Sequence, residues 1–361
     1  MLKNNHFALK GDKTLFILPL IFSLFGLLMI LDVSSATATR DFHNKFYFFD
    51  RQAVSLLIGT GFFLFFSFFD FRHLKKTAVW IFLINMLFLI LVLIPGFGRE
   101  VYGGRRWLQL GPIGFQPSET AKLSLIIYLS TLFEKKRKLL PFILSSGCFL
   151  LLIILEPDLG TAGIVIASAV CLFFISGSSL KHILGIMFLG ILLFPALIFF
   201  SPYRKQRLFS FFGSFFNANV EKTSYHVKQI LIALGGGGFW GRGFGQSRQK
   251  FLFLPEVATD SIFAVIAEEF GFFGSALLIV SFLFLFFRGF KTALQTTDFF
   301  GRTLACGIIF FLSFQSIINL SSIVSLIPLT GVPLPFISYG GSSLIVSLSG
   351  MGIVYNVSRR N

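Results

Sequence analysis

The sequence is short of charge. Only 13% of its 361 residues are Asp, Glu, Lys or Arg, and just sixteen are acidic. Soluble domains carry about 25% charged residues, so this chain cannot coat a water-facing surface of ordinary polarity. It has little cysteine: Cys148, Cys171 and Cys306 all fall inside apolar runs. Their spacing matches neither a zinc site nor a redox motif. The five histidines (His6, His43, His73, His182, His226) are scattered, which argues against a histidine metal centre. No long basic run alternates with exposed aromatics, so the net charge of +15 does not describe a nucleic-acid binder. There is no repeat of 20–50 residues and no clear inverted repeat of the transporter kind.

What is present is apolar bulk. Hydrophobic residues make up 55% of the chain, fifty-two of them phenylalanine, and the mean hydropathy is +0.81. A helix needs about 20 apolar residues to cross a bilayer. That rule predicts spans near 14–33, 52–70, 77–96, 116–133, 139–155, 160–178, 183–201, 262–287, 303–328 and 341–357. The first run is longer than the apolar core of a signal peptide and is expected to be retained. The fold expected is all-α: a polytopic membrane bundle of about ten transmembrane helices, forming one domain over 1–361. A large extracytoplasmic loop, 202–261, is inserted between spans seven and eight.

Short basic loops set orientation. Lys3, Lys10 and Lys13, the stretch Arg72–Lys76, the run Lys135–Lys138, Lys181, Arg288, Lys291, Arg302, Arg359 and Arg360 fall on one side of a ten-span arrangement. That side is expected to be cytoplasmic, with segments 1–13 and 358–361 both inside. The excess over the other side is slight, but eight opposing basic residues lie in 202–261, and long loops are largely exempt from the rule. Arg99, Arg105 and Arg106 beside Trp107 add to an outer face suited to anions. An anionic lipid or a lipid-linked substrate is the partner this charge suggests; nucleic acid is not.

Ionisable groups near spans are expensive and are functional candidates by default. In Gln116-Pro117-Ser118-Glu119-Thr120-Ala121-Lys122, Pro117 suits a first helical turn, and Glu119 and Lys122 share a face. Together with Arg105 and Arg106 they form either an anchored ion pair or an arginine clamp for phosphate. In Glu156-Pro157-Asp158-Leu159-Gly160, the carboxylates either balance the arginines or cap a helix. The Gly235–Gly238 string and the following Arg242, Arg248 and Lys250 make a flexible, cationic stretch. It is not a Walker loop, since no Gly-Lys-Ser/Thr follows. Asp260 stands alone at the mouth of an apolar helix, where it is either an N-cap or a general base acting on a sugar hydroxyl. Glu268 and Glu269 lie deeper, one of them expected to pair with a basic partner. The segment Pro328–Ser343, with Ser338 and Ser342, breaks the helix at membrane depth, which is tolerated only where backbone lines a cavity or is buried in protein.

Taken in order, the strings Arg105-Arg106-Trp107-Leu108, Gln116-Pro117-Ser118-Glu119, Pro157–Ala162, Leu254-Pro255-Glu256 with Thr259-Asp260, and Pro335–Ser343 resemble the SEDS family (shape, elongation, division and sporulation). The resemblance covers nearly the whole chain. It implies a glycosyltransferase that polymerises lipid II, an undecaprenyl-diphosphate-linked disaccharide peptide, outside the cytoplasmic membrane of a bacterium. It places the essential aspartate on Asp260 and the outer-loop tryptophan on Trp107, and matches Glu119 and Lys122 to the charged pair that opens span four. It implies partners too: a class B penicillin-binding transpeptidase and other division proteins. Ser247–Phe251 looks more like the division branch than the elongation branch, which suggests septal synthesis. Many members have histidine where this chain has Ala258. The substrate-binding set expected is Arg105, Arg106, Trp107, Glu119, Lys122, Arg242, Arg248, Lys250, Ser338 and Ser342. No cofactor or dedicated metal ligand is expected, although a divalent cation such as Mg2+ could share the neutralisation of diphosphate. The rival readings are a lipid II flippase, which needs an alternating pathway, an elongation-type polymerase and a non-catalytic scaffold.

Overall fold

A computed structural model describes residues 11–101, 104–110, 113–135, 139–199, 225–251 and 253–360, with 205 and 211. Residues 136–138 of the basic run, 202–224 of the 202–261 loop apart from 205 and 211, and 1–10 of the 1–13 segment lie outside the described residues.

Each apolar run folds as a helix. In chain order these are α1 (Lys13–Phe42), α2 (Tyr47–Phe68), α3 (Arg72–Leu93), α4 (Pro117–Lys135), α5 (Leu139–Leu155), α6 (Leu159–Ile175) and α7 (Leu180–Phe199). A short helix, α8 (Tyr225–Gly236), precedes α9 (Ile262–Gln295), α10 (Phe299–Ile323) and α11 (Gly341–Arg359). Among the described residues, α1, α2, α3, α9 and α10 are long and apolar enough to cross a membrane. Three of the scarce aspartates are spent on helix starts. Asp12 accepts from Thr14 N, Asp158 from Thr161 N and Asp298 from Gly301 N, each satisfying an amide that has no partner inside its helix.

The sequence reading missed two elements. The stretch between α3 and α4 is a three-stranded antiparallel sheet, β1 (Gly98–Val101), β2 (Gly104–Leu110) and β3 (Ile113–Phe115), in the order β1-β2-β3. Its register pairs Gly98 with Leu108 and Leu108 with Phe115, with a bulge between Arg99 and Glu100. The other is α8, within the segment read as a loop.

The helices approach closely where residues are small, as expected where burial in lipid gives no hydrophobic drive between helices. A Cβ on Gly352 of α11 would stand 2.5 Å from Phe63 O of α2, and one on Gly307 of α10 would stand 2.7 Å from Ile126 of α4. The outward faces carry large apolar side chains in the open: Leu57, Trp80, Phe188 and Leu277 are all more than half exposed. In water such a surface would drive aggregation; in lipid it is the solvated face.

Candidate active site

Asp260 closes the turn that feeds α9. Thr259 N and Ser261 N both bond to Glu256 O, at 3.2 and 3.4 Å. The N-cap position belongs to Ser261, not to Asp260. Ser261 Oγ shares a 2.8 Å hydrogen bond with His226 Nε2 of α8. Asp260 is 8% exposed, and its backbone carbonyl accepts from Asn319 Nδ2 of α10 at 3.0 Å. The helix start lends this spot the positive end of the α9 macrodipole, a favourable place for anions.

The irregular segment 328–340 walls this aspartate. Asn319 Nδ2 also donates to Val332 O, at 2.8 Å, and Tyr339 N donates to Ala258 O at 2.8 Å. Gly331 has φ +74°, and a Cβ there would lie 3.7 Å from Asp260 Oδ2. The same segment meets α6: a Cβ on Gly160 would stand 2.6 Å from Val332 and 3.0 Å from Thr330 O. Asp260 and the α5–α6 turn therefore flank one strip of backbone.

Non-helical backbone at this depth needs partners, and buried amides supply them. Gln52 of α2 donates to Ser338 O and accepts from Gly340 N. Gln315 of α10 donates to Pro333 O at 2.9 Å. Gln315 Oε1 in turn accepts from Lys122 Nζ at 2.7 Å, and the same ammonium bonds both oxygens of Glu119 at 2.9 Å. Lys122 and Glu119 are almost wholly enclosed, with side chains 1% and 5% exposed. They reach the site through Gln315 and Pro333 rather than by facing it. Gln52, Gln315, Asn319 and His226 are not among the residues that charge and motif single out; for the three amides, isolation inside an apolar run was the available signal.

The two serines expected to face substrate are used internally. Ser338 Oγ accepts from Leu334 N at 2.9 Å and closes a turn. Ser342 Oγ accepts from Gln116 N at 3.0 Å and donates to Gly114 O at 3.4 Å, fastening α11 to β3 and the start of α4.

The sheet brings the first arginines to the α5–α6 turn. Arg106 spends its fork there, Nε donating to Glu156 O at 3.0 Å and Nη2 to Pro157 O at 2.7 Å. Arg105 stays open in a cleft of ≈ 390 Å³ lined by Leu93, Glu100, Gly104, Leu155 and Pro157, with Glu100 3.8 Å away. Trp107 stands opposite Arg99 and lies over Gly114, where a Cβ would come within 3.2 Å of its ring. Glu156 in this turn is fully buried. Burial pushes its carboxyl up to about 9, Asp158 adding to the rise and Ser118 and Arg106 opposing it. Asp158 is occupied as the α6 cap, accepting from Thr161 N and Oγ1 and from Gln116 Nε2.

The glycine-rich loop after α8 docks against a break in α9. Gly271, with φ 67° and ψ −165°, interrupts that helix. Arg242 N and Gly243 N donate to Glu268 O and Glu269 O, both at 3.0 Å, and Phe272 N and Phe273 N donate back to Gly238 O and Phe239 O. A Cβ on Gly241 would run into Glu269 O, and one on Gly271 into Gly241 N, so glycine is required on both sides of this seam. Arg242 and Arg248, with Gln246, line an open cleft of ≈ 390 Å³. Lys250, expected beside them, points inward instead. It is 4% exposed, and its ammonium bonds Asp32 of α1 at 2.6 and 2.8 Å and Glu269 of α9 at 3.0 Å.

Among the described residues no three His, Cys, Asp or Glu side chains gather as metal ligands.

The comparisons with known proteins agree with this architecture. The chain is 36% identical over 360 residues to a probable peptidoglycan glycosyltransferase FtsW of Geobacter sp., covering 97% of each. It is 35% identical over 356 residues to stage V sporulation protein E of Bacillus subtilis, covering 96% of this chain and 97% of that one. The crystal structure of rod shape determining protein RodA from Thermus thermophilus superposes with a TM-score of 0.71 at 30% identity over 98% of both chains. A chain from a peptidoglycan synthase complex, described for its coordination of polymerisation and crosslinking, superposes with a TM-score of 0.78 at 29% identity, over 98% of this chain and 99% of that one. The family model described as cell cycle protein, that of FtsW, RodA and SpoVE, matches residues 12–361, and this chain belongs to that family.

Proposed function

We propose that this protein is a peptidoglycan glycosyltransferase that polymerises lipid II at the outer face of the bacterial cytoplasmic membrane, in septal wall synthesis during division. The observation that carries the reading is Asp260: a buried carboxylate just before α9, walled by an irregular strip of backbone that is itself enclosed in protein, as non-helical backbone at this depth must be unless it lines a cavity. Ten helices span the membrane, α8 lies outside it, and both termini are cytoplasmic. Segment 202–261 is the outer loop of a single domain.

In the reaction, the Asp260 carboxylate accepts the proton of the acceptor's 4-hydroxyl as that oxygen bonds to the donor's anomeric carbon. The bond from that carbon to the diphosphate oxygen breaks, and undecaprenyl diphosphate leaves with the electron pair. Charge grows on the diphosphate as it departs, so cations placed in advance stabilise the transition state. Arg105, Arg242 and Arg248 are the arginines open to meet it, and Arg242 and Arg248 hold the diphosphate from binding onward, in ground state and transition state alike. Arg106, Glu119, Lys122, Lys250, Ser338 and Ser342 hold the surrounding backbone. Any divalent cation would arrive with the diphosphate. The partner is a class B penicillin-binding transpeptidase, working within a larger division assembly.

Polymerisation of labelled lipid II by purified wild type and Asp260→Ala, with and without the cognate transpeptidase, tests this. A positioned general base contributes about 10²–10⁴-fold, so the folded variant should make no detectable strands. Equal output from both proteins would remove Asp260 from the mechanism. No output from either, even with the partner present, would favour transport of lipid II.

A further inference from the structure

The Arg242–Arg248 cleft rests on a buried carboxylate that the reaction does not use. Glu268 is 1% exposed, yet it accepts three hydrogen bonds from one turn of the outer loop, whose Ser247 N goes to the neighbouring Glu269. Glu268 Oε2 accepts from Ser247 Oγ and, at 3.3 Å, from Gln249 N; its Oε1 accepts from Arg248 N at 3.2 Å. Arg242 Nη1 lies 3.4 Å from Oε1, while Arg242 Nε is tied to Gly236 O at 3.0 Å. The Glu268 carbonyl is also taken, by Arg242 N. One residue thus fixes the backbone that carries Arg248 and orients the side chain of Arg242, the two cations that line the cleft. Hydrogen bonds with one ionised member are roughly twice as strong as neutral ones, and a buried carboxylate stripped of them is costly. The loop is glycine-rich and has little stiffness of its own, so the carboxylate beneath it sets its shape.

We infer that Glu268 is a positioning residue that pre-forms the Arg242–Arg248 cleft as a diphosphate site. The inference rests on reading that cleft as the place where the substrate diphosphate is held. Glu268 lies six residues after Ile262, the first residue of α9, about 9 Å along the helix, and Asp260 sits in the turn just before that start, so one rigid rod begins at the base and carries the cradle. The adjacent triad of Lys250, Asp32 and Glu269 ties the far end of the same turn to α1. Two neighbouring carboxylates therefore share the work, one serving the cleft and the other the scaffold.

The test compares Glu268→Gln, Ser247→Ala and the pair Arg242→Ala/Arg248→Ala, each with its transpeptidase, using lipid II as substrate and inorganic pyrophosphate as competitor. Glu268→Gln should raise KM about 5- to 10-fold with kcat within about 2-fold, and should weaken inhibition by pyrophosphate to the same degree. Ser247→Ala removes one anchor without burying an unpaired charge, and should shift KM and inhibition the same way by about 3-fold; it carries the test if Glu268→Gln does not fold. Added to the double arginine variant, Glu268→Gln should cost nothing further, because the groups it positions are gone. A fall in kcat with KM and pyrophosphate inhibition unmoved, or a full additive loss in the triple variant, would overturn the positioning role. If the double arginine variant itself leaves KM and inhibition unchanged, the diphosphate assignment of the cleft fails instead.

Discussion

At the end of the bundle that carries the C-terminus, Lys75 meets Glu134 at 2.7 Å and Arg360 meets Asp70 at 2.8 Å, with every one of those side chains more than 20% exposed. At the opposite end, Lys122 meets Glu119 and Lys250 meets Glu269 at similar distances, with none of the four side chains above 5% exposed. The bond lengths match but the energetics do not. An exposed pair gains little because water and salt screen it, about 0–1 kcal/mol. A buried pair has already lost its hydration, so each member depends on the other. The end rich in enclosed ion pairs is also the end with Asp260, the irregular wall and the arginine clefts. Enclosed charge there holds backbone that cannot be helical. At the other end, charge solvates loops.

Breaking one partner of an enclosed pair is the most severe way to probe this difference. Lys122→Met leaves Glu119 buried without its cation, and such a loss costs about 3–5 kcal/mol. It also removes the donor to Gln315 Oε1, so the wall at Pro333 loosens together with the helix packing. The double change Glu119→Gln/Lys122→Met should recover most of the stability, since no lone charge remains. Thermal unfolding in detergent, with polymerase activity on the same samples, separates the two effects. If single and double variants lose equal stability, the pair is no more interdependent than a surface pair and the contrast collapses.

Next in size is a titration confined to the α5–α6 turn. Glu156 is raised to about 9 by burial, against an ordinary value near 4.3 in an unfolded chain. Between those limits the folded protein holds a proton that the unfolded chain has released. Stability therefore falls as pH rises from about 4.5 to 9, and the contribution is complete below that range. Glu156→Gln keeps the shape without the titration. Its melting temperature should equal wild type at about pH 5, exceed it by a few degrees at about pH 8, and so flatten the wild-type slope. A slope that persists in the variant would assign it to another group.

The fold was legible because the bilayer imposes one simple rule. Ten apolar runs became helices α1–α7 and α9–α11, several with boundaries within a few residues of expectation, since about 20 apolar residues have few other uses. The sheet at 98–115 was not legible: its short strands carry Gly98, Gly104 and Gly114 among charged residues and give little alternation to read. For α8, twelve residues sit inside a segment whose composition looked like loop. Asp260 stands just before α9, and Arg242 and Arg248 share one cleft, as their places in the sequence suggest. Orientation was not legible. Lys250 lies two positions from Arg248 in sequence but points to Asp32, 218 residues away in the chain, and no local pattern records that. Arg106 likewise closes on carbonyls fifty residues away, while its neighbour Arg105 stays open. Side-chain direction at these positions is decided by helices that meet only in the folded bundle.

The mildest probe stays at the exposed end. Lys75→Ala removes the 2.7 Å contact to Glu134 but leaves that carboxylate in reach of water, so unfolding should shift by no more than about 0.5 kcal/mol. The shift should shrink further in high salt, where the Debye length is only about 3 Å at 1 M, whereas the Lys122→Met penalty should hardly respond to salt. Polymerisation by Lys75→Ala should match wild type, because Lys75 and Glu134 stand at the far end of α3 and α4 from the wall and the clefts, exposed to water. A salt-insensitive loss of more than about 2 kcal/mol would mean that the exposed end is organised like the enclosed one, and that burial is not what separates them.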